Sequence, residues 1–63
     1  MGLGSFDVAI ANSKLSFAEK YKKASLNDLN MFKNTLGADV QISADGKIAT
    51  IIINGQTTDV SVI

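Results

Sequence analysis

Residues 39–63 read DVQISADGKIATIIINGQTTDVSVI, three runs rich in β-branched residues separated by Asp45-Gly46 and Asn54-Gly55. Both dipeptides tolerate the positive φ angles of a type I′ turn, whose twist suits a two-residue hairpin loop. The segment is therefore predicted to form a three-stranded antiparallel meander. With Asp45-Gly46 as the first loop, Ala44 faces Lys47, Ile42 faces Ala49 and Val40 faces Ile51. With Asn54-Gly55 as the second, Ile53 faces Gln56, Ile51 faces Thr58 and Ala49 faces Val60.

Side chains alternate across a strand, so the two registers must agree on which face is apolar. They do: one face collects Val40, Ile42, Ala44, Ala49, Ile51, Ile53, Thr58, Val60 and Val62, and the other Asp39, Gln41, Ser43, Thr50, Thr57, Asp59 and Ser61. Ile48 and Ile52 break the pattern by falling on the polar face, with Ile63 near them if the last strand runs to the end of the sequence. β-branched residues suit the pleat even when exposed. Apolar side chains on a polar face also make a contact surface, so Ile48, Ile52 and Ile63 are candidate partner-contact residues.

Upstream, Ser25-Leu26-Asn27-Asp28 resembles a capping box with Asp in the acidic place, and Leu26, Leu29, Phe32 and Leu36 recur at helical steps before Gly37. A helix over Leu26–Leu36, ended by a left-handed glycine, follows. Earlier still, Phe6, Ile10, Phe17, Tyr21 and Ala24 share one helical stripe, rotated about a quarter turn from the Leu26–Leu36 stripe at 100° per residue. The two segments are thus expected to be separate helices with a break near Ser25. Ser16-Phe17-Ala18-Glu19 offers a second capping-box candidate. Residues 5–11 suit a helix through Phe6, Ala9 and Ile10; the alternative, from the alternation of Phe6, Val8 and Ile10, is a parallel edge strand in a β-α-β-β-β order.

The 63 residues include six Lys, no Arg, one Glu, five Asp and no His, Cys, Trp or Pro, and the formal charges cancel. A chain of this length fits one domain, residues 1–63, burying about 60% of the surface it exposes when unfolded; its core is small enough that self-association is expected to supplement it. Without His or Cys, the usual general base, thiol nucleophile and nitrogen or sulfur metal ligands are missing. Asp7, Glu19, Asp28, Asp39, Asp45 and Asp59 are scattered, Asp28 and Asp45 being explained by a cap and a turn. Neither an EF-hand spacing nor a glycine-rich phosphate loop occurs. No catalytic residue, metal site, cofactor or small-molecule substrate is therefore inferred, and the chain is read as non-enzymatic.

No stretch reaches 18 apolar residues and the N-terminus lacks a signal-peptide pattern, so a soluble, intracellular protein with no membrane span is expected. The start, Met1-Gly2-Leu3-Gly4-Ser5-Phe6, misses the myristoylation pattern because Phe6 stands where Ser or Thr is needed. Gly2 and Gly4 belong to a terminus expected to fray.

Charge is polarised along the chain. Lys14, Lys20, Lys22 and Lys23 against Glu19 give residues 14–23 a net +3, whereas Asp39, Asp45 and Asp59 against Lys47 leave residues 37–63 at −2. The four lysines are candidate anion contacts, on phosphates for example, although base reading usually recruits Arg. Tyr21, sharing the stripe of Phe17, is assigned to the core rather than to base stacking. Met31 lies off the Leu26–Leu36 stripe and is expected to fill a gap between helices.

These readings combine into an α+β protein whose N-terminal helices cover one face of the meander, with Val40, Ile42, Ile51, Ile53, Val60 and Val62 meeting Leu29, Phe32 and Leu36. The expected function is contact with protein, either itself or another, through the sheet edge or outer face, in an accessory, inhibitory or assembly-forming role. The alternative is weak, sequence-tolerant nucleic-acid binding through the lysines of the first helix.

Overall fold

A computed structural model describes residues 5–63, so the expectations about Gly2, Gly4 and the start of the chain lie outside the described residues. The order is α1 (Ser5–Tyr21), β1 (Lys23–Ala24), α2 (Leu26–Leu36), β2 (Asp39–Ile42), β3 (Ile48–Ile53) and β4 (Gln56–Val62). The fold is α+β: two helices lie on one face of a four-stranded mixed sheet of order β1-β4-β3-β2.

The antiparallel part pairs as the turns require. Val40 faces Ile51 and Ile42 faces Ala49, while Ala49, Ile51 and Ile53 face Val60, Thr58 and Gln56. The second hairpin turns through Asn54 at φ 51° and Gly55 at φ 79°, the two positive angles of a type I′ turn. The first hairpin does not. Only Gly46 has a positive φ there, 73°; Gly46 N–H donates to the Ser43 carbonyl at 2.9 Å, and Ser43 N–H donates to the Ile48 carbonyl at 2.8 Å. The loop is therefore longer than two residues, and Ala44 and Lys47 are exposed loop residues rather than a strand pair.

Its geometry is held by side chains. The Ser43 hydroxyl donates to Asp45 Oδ1 at 2.6 Å and accepts from Ile48 N–H at 3.1 Å, and the same Oδ1 accepts from Lys47 N–H at 3.0 Å. Asp45 is thus satisfied by its own loop, which stabilises an alternative to the tighter turn.

The sheet differs from a simple meander by its fourth strand. β1 runs parallel to β4, with Lys23 and Ala24 opposite Ser61 and Val62. Residues 5–11, the segment considered for a parallel edge strand, are helical instead. α1 ends when Lys22 takes a left-handed φ of 58°, after its N–H has closed on the Ala18 carbonyl at 2.8 Å. This reversal frees the next two residues: the Lys22 carbonyl accepts from Ser61 N–H at 2.8 Å and the Ala24 carbonyl from Ile63 N–H at 3.0 Å. The break foreseen near Ser25 is thus a short strand.

α2 has the predicted bounds. Ser25 Oγ accepts from Asp28 N–H at 3.1 Å, and Gly37, at φ 70°, closes the far end with its N–H on the Phe32 carbonyl. Only half of the capping box forms, since the Asp28 carboxylate reaches Lys14 Nζ at 3.8 Å. Ser16-Phe17-Ala18-Glu19 caps nothing, because it lies inside α1.

The core joins Leu15 and Ala18 of α1, Leu29 and Phe32 of α2, and Ala24, Ala38, Ala49, Ile51 and Val60 of the sheet layer, with Leu36, Val40, Ile53 and Val62 half-buried around it. Met31 is half-buried. Two expectations about the core are corrected. Ile42 points to the inner face but remains 44% exposed, because β2 is an edge strand and α2 does not cover its end. The buried side of α1 is Ala11, Leu15 and Ala18, so Phe6, Phe17 and Tyr21 face solvent, with Ile10 only half-buried. Alanines let the helix backbone approach its neighbours closely, which aromatic side chains on that side would prevent.

Candidate contact surfaces

Three surfaces present chemistry to the outside. The first is the outer sheet face. Alternation along β3 and β4, with Ala49, Ile51 and Val60 buried, places Ile48, Thr50, Ile52, Thr57, Asp59 and Ser61 outward. Thr50 Oγ1 donates to Asp59 Oδ1 at 2.8 Å across the ladder. Ile48 is 42% exposed, Ile52 half-buried and Ile63 72% exposed. Ile48 lies opposite Ser61, two residues before Ile63, which makes Ile48 and Ile63 diagonal neighbours on this face. The three residues singled out in the sequence thus share one uncovered surface.

The second surface is the free edge of β2. An open groove beside it is lined by Leu26, Leu29, Asn30, Lys33, Val40 and Ile42. Leu26 belongs to the α2 stripe but is the first residue of the helix, and it is exposed. Sequence reasoning placed Ile42 in the core and Leu26 on the apolar stripe of α2; their position at the ends of elements is what exposes them.

The third is the solvent side of α1. Phe17 and Tyr21 stack with ring centroids 4.6 Å apart and planes tilted by 45°, and Lys20 Nζ lies 5.4 Å from the Tyr21 ring centroid. Tyr21 is therefore not a core residue. Its packing partners are its i−4 neighbour Phe17, an ordinary helical pairing, and the lysine that precedes it in the chain.

The four lysines do not converge. Lys14 is engaged by Asp28, Lys20 lies over Tyr21, Lys22 ends the helix, and Lys23 projects to the sheet face opposite buried Ala24. The Ser43 hydroxyl, then the Lys47 N–H, hold the exposed Asp45 carboxyl below its ordinary value. The hydrogen bonds that do this belong to the hairpin loop.

None of the described helices is long and apolar enough to cross a membrane. Among the described residues, no three side chains of the metal-ligating types gather. No family model matches the chain, and comparison with curated proteins and with solved structures finds no match.

Proposed function

We propose that the chain is a non-enzymatic protein that acts by contact with protein, through the outer sheet face and the free β2 edge, with self-association as its principal mode. The observation that carries this reading is the uncovered outer face, where Ile48 and Ile63 stay in water among Thr, Ser and Asp. Burying apolar surface contributes roughly 25 cal/mol per Å², and a chain with so small a core has that gain still available outside its fold. The β2 edge adds unpaired backbone groups beside an apolar groove, the arrangement that strand addition uses.

Light scattering coupled to size exclusion tests the reading. The wild-type mass should exceed 6.6 kDa and rise with concentration, and Ile48→Asp or Ile52→Asp should lower it. A monomer in every case removes self-association from the reading.

A second reading, sequence-tolerant nucleic-acid binding, is favoured by the exposed Phe17–Tyr21 pair beside Lys20, since bases stack on aromatic rings. Against it, Lys14 is occupied by Asp28 and Lys23 lies on another face. It calls for binding to a single-stranded oligonucleotide that weakens with salt and with Lys20→Gln/Lys22→Gln. Absence of binding at low ionic strength disposes of it.

A further inference from the structure

Two loops set a side-chain carbonyl next to a glycine nitrogen, Asp45-Gly46 and Asn54-Gly55, and they are held differently. In the first, Gly46 N–H donates to the Ser43 carbonyl at 2.9 Å, while Asp45 Oδ1 accepts from the Ser43 hydroxyl and from Lys47 N–H. In the second, both residues are exposed, and among the described residues neither the Asn54 carboxamide nor Gly55 N–H has a hydrogen-bond partner. The type I′ turn explains the free N–H, because its bonds run between the residues that flank the loop, Ile53 and Gln56.

We infer that Asn54-Gly55 is a self-modification site, at which the Gly55 nitrogen attacks the Asn54 carboxamide within the folded chain and converts the asparagine to an acid. Gly55 N gives its proton to water or hydroxide and forms a bond to Asn54 Cγ. The Cγ–Nδ2 bond breaks, and Nδ2 takes up a proton and leaves as ammonia. The product is a five-membered cyclic imide, which water then opens. Addition at Cγ restores the ordinary backbone and leaves an aspartate; addition at the main-chain carbonyl leaves an isoaspartate, with the chain running through Cβ and Cγ. Nothing is oxidised or reduced, and the only co-reactant is water.

The turn supplies the geometry. Types I′ and II′ both hold the first loop residue at positive φ and interconvert by a flip of the peptide between the two loop residues, with the strands left in place. Asn54 is already at φ 51°, and Gly55, at φ 79°, can pass to negative φ because it has no Cβ. The flip takes ψ of Asn54 to about −120°, which eclipses Gly55 N with Cβ and brings it onto Cγ, as closure of a five-membered ring requires. Around the Gly55 Cα there is open space, so no atom crowds the attack. The flipped turn is the minor form, since that ψ at positive φ suits glycine better than asparagine; the fold slows the reaction without blocking it.

The other asparagines lack these features. Asn12 lies within α1 and Asn30 and Asn34 within α2, where the next N–H is held in the helical ladder and the next residue is Ser13, Met31 or Thr35. Asn27 precedes Asp28, whose N–H is bound to Ser25 Oγ at 3.1 Å.

Peptide mapping by mass spectrometry, on the full chain kept folded in mildly alkaline buffer, tests the assignment. The peptide holding Asn54 should lose ammonia and then stand about 1 Da above its starting mass, as a separable aspartate and isoaspartate pair, while Asn12, Asn27, Asn30, Asn34 and Asp45 stay unmodified. Ser25→Ala separates the routes, because it loosens the fold beside β1, at the far end of β4 from the turn. Reaction through the flipped turn leaves the rate unchanged, whereas reaction through global unfolding raises it roughly fivefold. An Asn54 that stays intact, conversion of a helical asparagine or of Asp45 ahead of it, or a rate that rises with Ser25→Ala overturns the inference.

Discussion

Asn54 and Gly55 both sit at positive φ, 51° and 79°, whereas of Asp45 and Gly46 only the glycine does. The left-handed region costs a residue with a Cβ roughly 1–2 kcal/mol, less for Asn. Gly55→Ala should therefore lose about 1–2 kcal/mol in chemical denaturation, the strain being present although a Cβ there would meet no atom. Asp45 gives a pH prediction. Its folded-state pKa is lowered, first by the Ser43 hydroxyl and then by the Lys47 N–H, so the stabilisation exists above the unfolded value of about 3.9. It is lost as pH falls through the lower folded value. An NMR titration should find Asp45 titrating below ordinary aspartates, and Ser43→Ala should move it upward. The sequence signalled a turn at both dipeptides, but the hydrogen bonds of Ser43 decided the form of the first.

At the scale of elements, α2 was legible because its ends are local: Ser25 supplies an oxygen to Asp28 N–H, and Gly37 supplies the left-handed exit. Ser25→Ala should cost about 1 kcal/mol in thermal or chemical unfolding. α1 was legible as a helix but not in orientation. Its bulkiest apolar residues recur at helical spacing, yet the helix buries the smaller set Ala11, Leu15 and Ala18. Close approach to α2 and the sheet favours small side chains, and periodicity by itself weighs a phenylalanine above an alanine. Truncation separates the two sides: Phe32→Ala, fully buried, should cost about 3–5 kcal/mol and Phe17→Ala, half out in solvent, much less, in monomeric protein at low concentration. Equal costs would refute the assignment of faces.

The whole molecule is a one-sided arrangement, helices on one sheet face and none on the other. Its edges are a four-residue β2 and a two-residue β1, and short edge strands limit indiscriminate pairing. The outer face has no such protection, and its isoleucines give the surface its expected stickiness.

What the amino-acid order determined by itself is the register of the three antiparallel strands, the identity of the inward face and the limits of α2, because turns and caps are settled by atoms a few residues apart. What only the tertiary structure decided is which side of α1 is buried, that Lys23 and Ala24 add a parallel strand beside Ser61 and Val62, and that Ile42 and Leu26 overhang the core. Each of those depends on what stands opposite a residue once distant segments meet. A periodic pattern says that a side will be covered; the space between packed backbones selects which one.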